Sequence, residues 1–233
     1  MFLRAFFGIL CAAFIGNASL VSAHLFSDYT PHGKIDIGPT YFELDFLKSG
    51  KTEKTNRMGG AKIDATLQIW RGVCLKGCAL LGMDNHKGRL GSFSVGLAHY
   101  TPVTDRLTLT PQVGFIWGYI RGRTEIDMLG LDNVKEQFRT TSPYVALELC
   151  YKLTDKLLLN ACYQYAWCHT HTKIGHIIDE KSHSCGPNYT LGLEYSIDCN
   201  WSINAGIGYN ISLSKEKHGI RGKGAKIGVA YYF

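Results

Sequence analysis

The amino-acid sequence predicts an all-β fold: a closed antiparallel up-and-down β-barrel that crosses a membrane with about ten strands. Three observations predict it. Apolar residues recur at alternate positions through most of the chain, short hairpin turns alternate with long polar segments, and aromatic residues gather at the two ends of the alternating stretches. After the first residues there is no continuous apolar run of helix length, so a membrane crossing must use strands whose hydrogen bonds close on one another.

Residues 1–23 are read as a cleavable secretory signal and residues 24–233 as the barrel. Met1 to Arg4 is a short positive region, Ala5 to Gly16 is apolar, and Val21-Ser22-Ala23 is a small-residue cleavage site. The apolar run is too short to span a bilayer as a helix. A composition of 45% apolar residues with 26 Gly and 13 Tyr suits alternating strands. The formal charge is +6, and removing Arg4 with the signal leaves +5. That excess is too scattered for nucleic acid, which is excluded as a partner, and favours acidic head groups or anionic surface glycans. Eight cysteines are present and Cys11 leaves with the signal. An odd number then remains in an oxidising compartment, so at least one is free or bonded to another chain.

The strands are expected at Ile35 to Phe46, Ala61 to Gly72, Leu75 to Asp84, Gly91 to Val103, Leu107 to Ile120, Thr141 to Leu153, Leu157 to Cys168, Asn188 to Ile197, Trp201 to Ser212 and Gly224 to Phe233. Without the Leu75 segment the count is odd, and a barrel with both ends on one side needs an even number, with eight as the smaller alternative. Asn85-His86-Lys87-Gly88 can turn after it. Three turns repeat one pattern, at Val103-Thr104-Asp105-Arg106-Leu107, Leu153-Thr154-Asp155-Lys156-Leu157 and Ile197-Asp198-Cys199-Asn200-Trp201. Between them lie polar segments expected to be long loops: Thr124 to Thr140, Thr170 to Gly186 and Leu213 to Lys223.

Parity sorts the two faces. From Ile63 onward odd positions such as Phe115, Leu147, Leu191, Ile207 and Val229 form the apolar face, and even positions such as Ser94, Thr110, Gln112, Asn160 and Asn204 are small or polar. The first strand is expected to reverse this parity, with Phe42, Leu44 and Phe46 toward lipid. Pro111, on the lipid face, is expected to mark a bulge. Tyr151, Tyr195, Trp201, Tyr231 and Phe233 fall near the short turns or the last strand end, whereas Trp117, Tyr119, Tyr165, Trp167, Tyr189 and Tyr209 fall near the long segments. A soluble sandwich has no reason to sort aromatics by depth. A barrel in lipid does, because amphipathic rings settle at both interfaces.

These patterns, closed by Gly228-Val229-Ala230-Tyr231-Tyr232-Phe233, resemble the small outer-membrane β-barrel family of Gram-negative bacteria that includes the OmpA-type membrane domain, the OmpX- and OmpW-like proteins and the opacity adhesins. The resemblance implies a place in the cell outer membrane, among outer-membrane lipid and lipopolysaccharide. It also implies that Tyr231 and Phe233 form the sorting signal read by the barrel-assembly machinery.

Among residues that carry chemistry, the richest cluster is Cys168, His169, His171, His176, Asp179, Glu180, His183 and Cys185. Cys168 and Cys185 can close the loop as a disulfide, stay free, or join histidines around zinc. Cys74 and Cys78 lie too far apart to bond if their segment is extended. The turn register puts Cys150 opposite Asn160 and Cys162 opposite Glu148, diagonal to one another and unsuited to bridging. Glu148 and Glu194 point inward, where Lys152, Lys226, Gln112, Gln164 and Tyr232 can pair with them as filler. No cofactor and no metal are expected. The function expected is a non-enzymatic structural or surface-interaction role. Two rivals remain. Interior Gly96, Gly114, Gly192, Gly206, Gly208 and Gly228 suggest a small-solute channel, and a lipid or peptide hydrolase would need a nucleophile beside His169 or His171.

Overall fold

The computed structural model describes residues 32–84, 88–126, 131–174 and 178–233. Residues 1–23, read above as a signal, and Asn85-His86-Lys87, expected to turn, lie outside the described residues. Ten strands follow one another: β1 (Gly33–Lys48), β2 (Lys51–Trp70), β3 (Val73–Met83), β4 (Arg89–His99), β5 (Leu107–Ile126), β6 (Leu131–Lys152), β7 (Leu157–Ile174), β8 (Ile178–Ser196), β9 (Trp201–Leu213) and β10 (Gly219–Tyr232). A short extension of β4, Thr101–Pro102, continues its pairing with β5. Each strand pairs antiparallel with its neighbour, and β1 pairs with β10 from Lys34↔Tyr232 to Leu47↔Gly219. The barrel is therefore closed, and the segment Val73–Met83 supplies the tenth strand.

Register fixes its girth. Paired residues followed once around the wall, from His32 through Gln68, Cys74, Ala98, Gln112, Ala146, Gln164, Asn188, Asn210 and Gly222, return to β1 at Leu44. The return lands twelve residues up the strand (residue 44 against residue 32), a stagger that tilts the strands by about 40°. A barrel of this girth has an interior that side chains can fill.

The turns at one end repeat as the sequence predicts, and each has the same brace. The Thr104 hydroxyl accepts from the backbone N–H of Arg106 and Leu107, the Thr154 hydroxyl from Lys156 and Leu157, and the Asp198 carboxylate from Asn200 and Trp201. The remaining turn at this end is Arg71-Gly72, with φ of 35° and 84°; both central residues are left-handed, as a two-residue hairpin requires.

Odd residues face outward through the middle of the wall: Leu147, Leu191, Leu193, Ile203, Ile207 and Val229 are exposed, and Ile227 is 68% exposed. Side chains this apolar on the outer surface of a closed barrel require lipid around it. The first strand does not reverse the parity. Ile35, Ile37 and Tyr41 are exposed, whereas Phe42 and Leu44 are buried inside with Met58, against Leu80, Leu90, Ile120 and Ile220. The register Phe42↔Met58 and Phe42↔Gly224 keeps β1 in phase with both neighbours, so its apolar even residues enter the lumen. Nor does Pro111 make a bulge. It stays in register opposite Leu147, and toward β4 it sits between the Ala98↔Gln112 and Thr101↔Leu109 pairs, where the ladder breaks and no N–H is required.

The polar segments expected as long loops are largely strand. β5 and β6 stay paired to Ile126↔Leu131, and β7 and β8 to Ile174↔Ile178. These extensions carry no apolar alternation in the sequence, yet the backbone ladder continues. The β6–β7 ladder reaches Glu136↔Ile174 and joins the two hairpins into one four-stranded sheet. On its flanks pairing stops earlier, at Arg89↔Arg121 and at Leu213↔Cys185. The sheet thus rises past the rest of the rim with a strand edge on either side.

Leu147→Arg, which puts charge on the lipid face, is expected to cost about 2–4 kcal/mol near mid-bilayer. Refolding into lipid vesicles, followed by the heat-dependent gel shift, should show loss of the folded band.

Candidate functional site

Two regions carry the chemistry of this barrel, the lumen and the outward face of the raised sheet. In the lumen, even positions bring charges from distant strands together. Lys34 on β1 meets Glu194 on β8, which also accepts from the Ser202 hydroxyl at 2.6 Å and from the Tyr232 hydroxyl. Lys226 bridges Asp36 at 2.8 Å and Asp64 at 2.9 Å, and Lys62 contacts Asp64 at 3.0 Å. Lys76 on β3 meets Glu148 on β6, which accepts from the Gln112 amide at 2.8 Å. Gln112 and Tyr232 thus pair with the two glutamates as expected from the sequence, whereas Lys226 pairs with Asp36 and Asp64. Lys152 instead turns to Asp155 in the adjacent turn at 2.9 Å, and Gln164 accepts from Asn188 at 3.2 Å. The sequence reading missed Lys34 and Asp36 because it placed the wrong face of β1 inward. Lys62, Asp64 and Lys76 lay within reach of the even-face rule.

Toward the raised sheet the lumen turns apolar. Phe46 on β1 and Phe138 on β6 touch across it, ring centroids 5.9 Å apart, above the Phe42, Leu44 and Met58 cluster. Some interior glycines make room for side chains, whereas Gly192 and Gly206 meet only backbone. A Cβ on Gly82 would lie 2.3 Å from the ring of Phe42, and one on Gly96 would lie 2.4 Å from the hydroxyl of Tyr144. The space read from Gly96 and Gly114 as room for water is occupied by Tyr144.

On the outward face, odd residues of five adjacent strands form a basic row at the base of the raised sheet. Arg89 is opposite Arg121, Arg139 is opposite Tyr119 and His171, and His171 is opposite Lys181. Arg121 lies 5.7 Å from the ring centroid of Tyr119, which keeps it against the aromatic belt. His171 hydrogen-bonds Asp179, and Lys173 reaches the same carboxylate at 3.1 Å. These two contacts hold the Asp179 carboxyl below its ordinary range, the hydrogen bond to His171 being the larger cause. His169 and His183 are cross-strand partners, ring centroids 4.7 Å apart at 89°.

The hairpin does not bring Cys168 and Cys185 together. Cys168 pairs with Ser184 and Cys185 with Trp167, one step out of register. One step reverses the face, so the Cys168 thiol lies inward and accepts from the Ser212 hydroxyl at 3.5 Å, while the Cys185 thiol lies outward and accepts from the Tyr165 hydroxyl at 3.2 Å. Both are free, which corrects the disulfide and also removes a zinc site built on both thiolates. Cys150 pairs with Asn160 and Cys162 with Glu148, as the turn register predicts. Cys74 and Cys78 are free on the extended β3, and Cys199 is free in its turn. His176 lies outside the described residues. Among the described residues no group of three or more metal-binding side chains gathers.

Of the aromatic belt residues, Trp117, Trp201 and Tyr195 are exposed on the outward face. Trp167 is half-buried against Tyr165, edge to face at 5.1 Å. Tyr231 and Phe233 are exposed with rings 6.3 Å apart, and Phe233 exchanges two backbone hydrogen bonds with Gly33.

No family model matches the chain, and no curated protein is similar to it in sequence. Its fold is similar to that of the outer membrane protease OmpT from Escherichia coli, at 10% identity over 93% of this chain and 100% of that one, TM-score 0.51. Weaker likenesses are to the translocator domain of autotransporter NalP from Neisseria meningitidis (10% identity, 99% of this chain and 96% of that chain, TM-score 0.49) and to the attachment invasion locus protein Ail of Yersinia pestis (12% identity, 88% and 100%, TM-score 0.46). At these identities the likeness is one of architecture.

Glu194→Ala leaves Lys34 without its carboxylate in the lumen and is expected to destabilise the barrel by about 3–5 kcal/mol. Urea unfolding of the lipid-reconstituted protein would measure this. With Phe42 and Tyr144 packed inside the barrel, the parent is expected to be silent in planar bilayers, and Phe42→Ala combined with Tyr144→Ala to produce conductance steps.

Proposed function

We propose that this outer-membrane β-barrel is a non-enzymatic structural and surface-interaction protein that holds a four-stranded sheet above the outer leaflet and docks anionic sugars and phosphates, those of lipopolysaccharide above all. The observation that carries this reading is the basic row of Arg89, Arg121, Arg139, His171 and Lys181 at the foot of that sheet. It lies next to the aromatic belt, where head groups sit, and guanidinium groups suit phosphate because their planar fork makes two parallel hydrogen bonds. The interior ion pairs and the Phe46–Phe138 contact support a rigid holder over a conduit.

The same reading assigns Tyr231 and Phe233 to recognition by the barrel-assembly machinery, since both rings project outward at the end of the strand that closes the barrel. Deleting Phe233 is then expected to lower outer-membrane levels and raise envelope stress; unchanged assembly would remove this role.

Replacing Arg121, Arg139 and Lys181 by Ser is expected to weaken binding of the nanodisc-embedded barrel to lipopolysaccharide and to sulfated oligosaccharides by at least about tenfold at low salt, with the heat-dependent gel shift unchanged. Equal binding by the triple variant and the parent would end the docking role.

A further inference from the structure

We propose that His169 and His183 form a two-imidazole site for a divalent transition metal of the zinc and copper class, on the outward face of the β7–β8 hairpin above the aromatic belt. The two residues are direct cross-strand partners, both exposed, with ring centroids 4.7 Å apart and rings perpendicular. Two imidazoles bound to one ion at metal–nitrogen distances of about 2.0–2.1 Å have centroids about 4.5 to 5.2 Å apart, from right-angled to tetrahedral geometry. The observed separation already lies in that interval, so the pair can take an ion by side-chain rotation with the ring spacing kept.

The backbone supplies the preorganisation. The ladder runs unbroken through Cys168↔Ser184, His169↔His183 and Thr170↔Ser182, so neither Cα must move to bring the rings together. Among the described residues, the contact that each ring makes is with the other, which leaves their nitrogens available to an ion. Charge nearby is balanced. Lys181 precedes His183 on the same face, and Asp179, held by His171, supplies a carboxylate close by. No third protein ligand gathers among the described residues. The ion therefore keeps positions open for water or for an anionic oxygen, and the same hairpin face gains a Lewis-acidic point. This site does not depend on the anion-docking role; either can stand without the other.

The test uses the full mature barrel without an affinity tag, in nanodiscs. Calorimetric titration with Zn2+ is expected to show one ion per barrel in the micromolar range, and Cu2+ loaded at one equivalent to show spin coupling to two imidazole nitrogens. His169→Ala and His183→Ala should each raise the Kd at least about tenfold. His171→Ala and Cys185→Ser should leave it within about twofold, since neither is a ligand in this site. The heat-dependent gel shift establishes that each variant is folded. Absence of binding by the folded parent, retention of full affinity by the double His169→Ala, His183→Ala variant, coupling to a single nitrogen, or a loss with Cys185→Ser as large as with His183→Ala would each overturn the assignment.

Discussion

Everything in this structure follows from the requirement that no backbone N–H or C=O be left unpaired in hydrocarbon. β1 and β10 must find each other, which they do from Lys34↔Tyr232 to Leu47↔Gly219, and the hydrogen bonds between Gly33 and Phe233 tie off the end of the seam. Closure with ten strands and a stagger of twelve residues then sets the diameter, and the diameter sets what the even-numbered side chains must fill. The outward apolar band and the inward polar network are two faces of one constraint, linked because side chains alternate along every strand.

Inside, the filling divides along the axis. Near the short turns, the Lys34–Glu194 and Lys76–Glu148 contacts each tie together strands three apart around the wall. Such pairs give little net stability over apolar packing, because each charge loses its water. They do fix which non-adjacent strands approach each other inside the barrel. Near the raised sheet, rings from β1 and from β6 meet instead. The change from charged to aromatic filling coincides with the change from membrane wall to free-standing sheet, so the sheet grows from the end of the barrel that is packed most like a protein core.

Most of the architecture was legible in the sequence because lipid enforces a simple rule: at odd positions such as Leu147, Leu191 and Ile207, apolar means outward. The three braced turns were legible because Thr104, Thr154 and Asp198 sit at one repeated place. β1 was misread because Phe42, Leu44 and Phe46 are apolar on the inward face, where a large ring filling the gap beside Gly82 cannot be told from one facing lipid without knowing the register. The raised sheet was invisible for the opposite reason. A backbone ladder that continues without apolar alternation leaves no mark in the residue pattern, and Arg139 and Lys181 read as loop. Cys168 and Cys185 illustrate how little separates outcomes in a hairpin: the pairing is off by one residue, and one residue reverses the face. The interior pairs of Cys150 and Cys162 were correct because a short, fully specified turn fixed the count between them.

The seam has a consequence in time. Every other ladder joins strands that are neighbours in the chain, whereas Lys34↔Tyr232 joins residues from its two extremes. Contacts of such long sequence separation form slowly, since the whole intervening chain must be ordered before they bring any return. Within the seam the pairing also skips Gly38 and Pro39, between Ile37↔Val229 and Thr40↔Lys226. Until those ends meet, β1 and β10 each present an open edge capable of pairing with any passing strand. The nascent protein is thus most vulnerable to misassembly when nine of its ten ladders are already built.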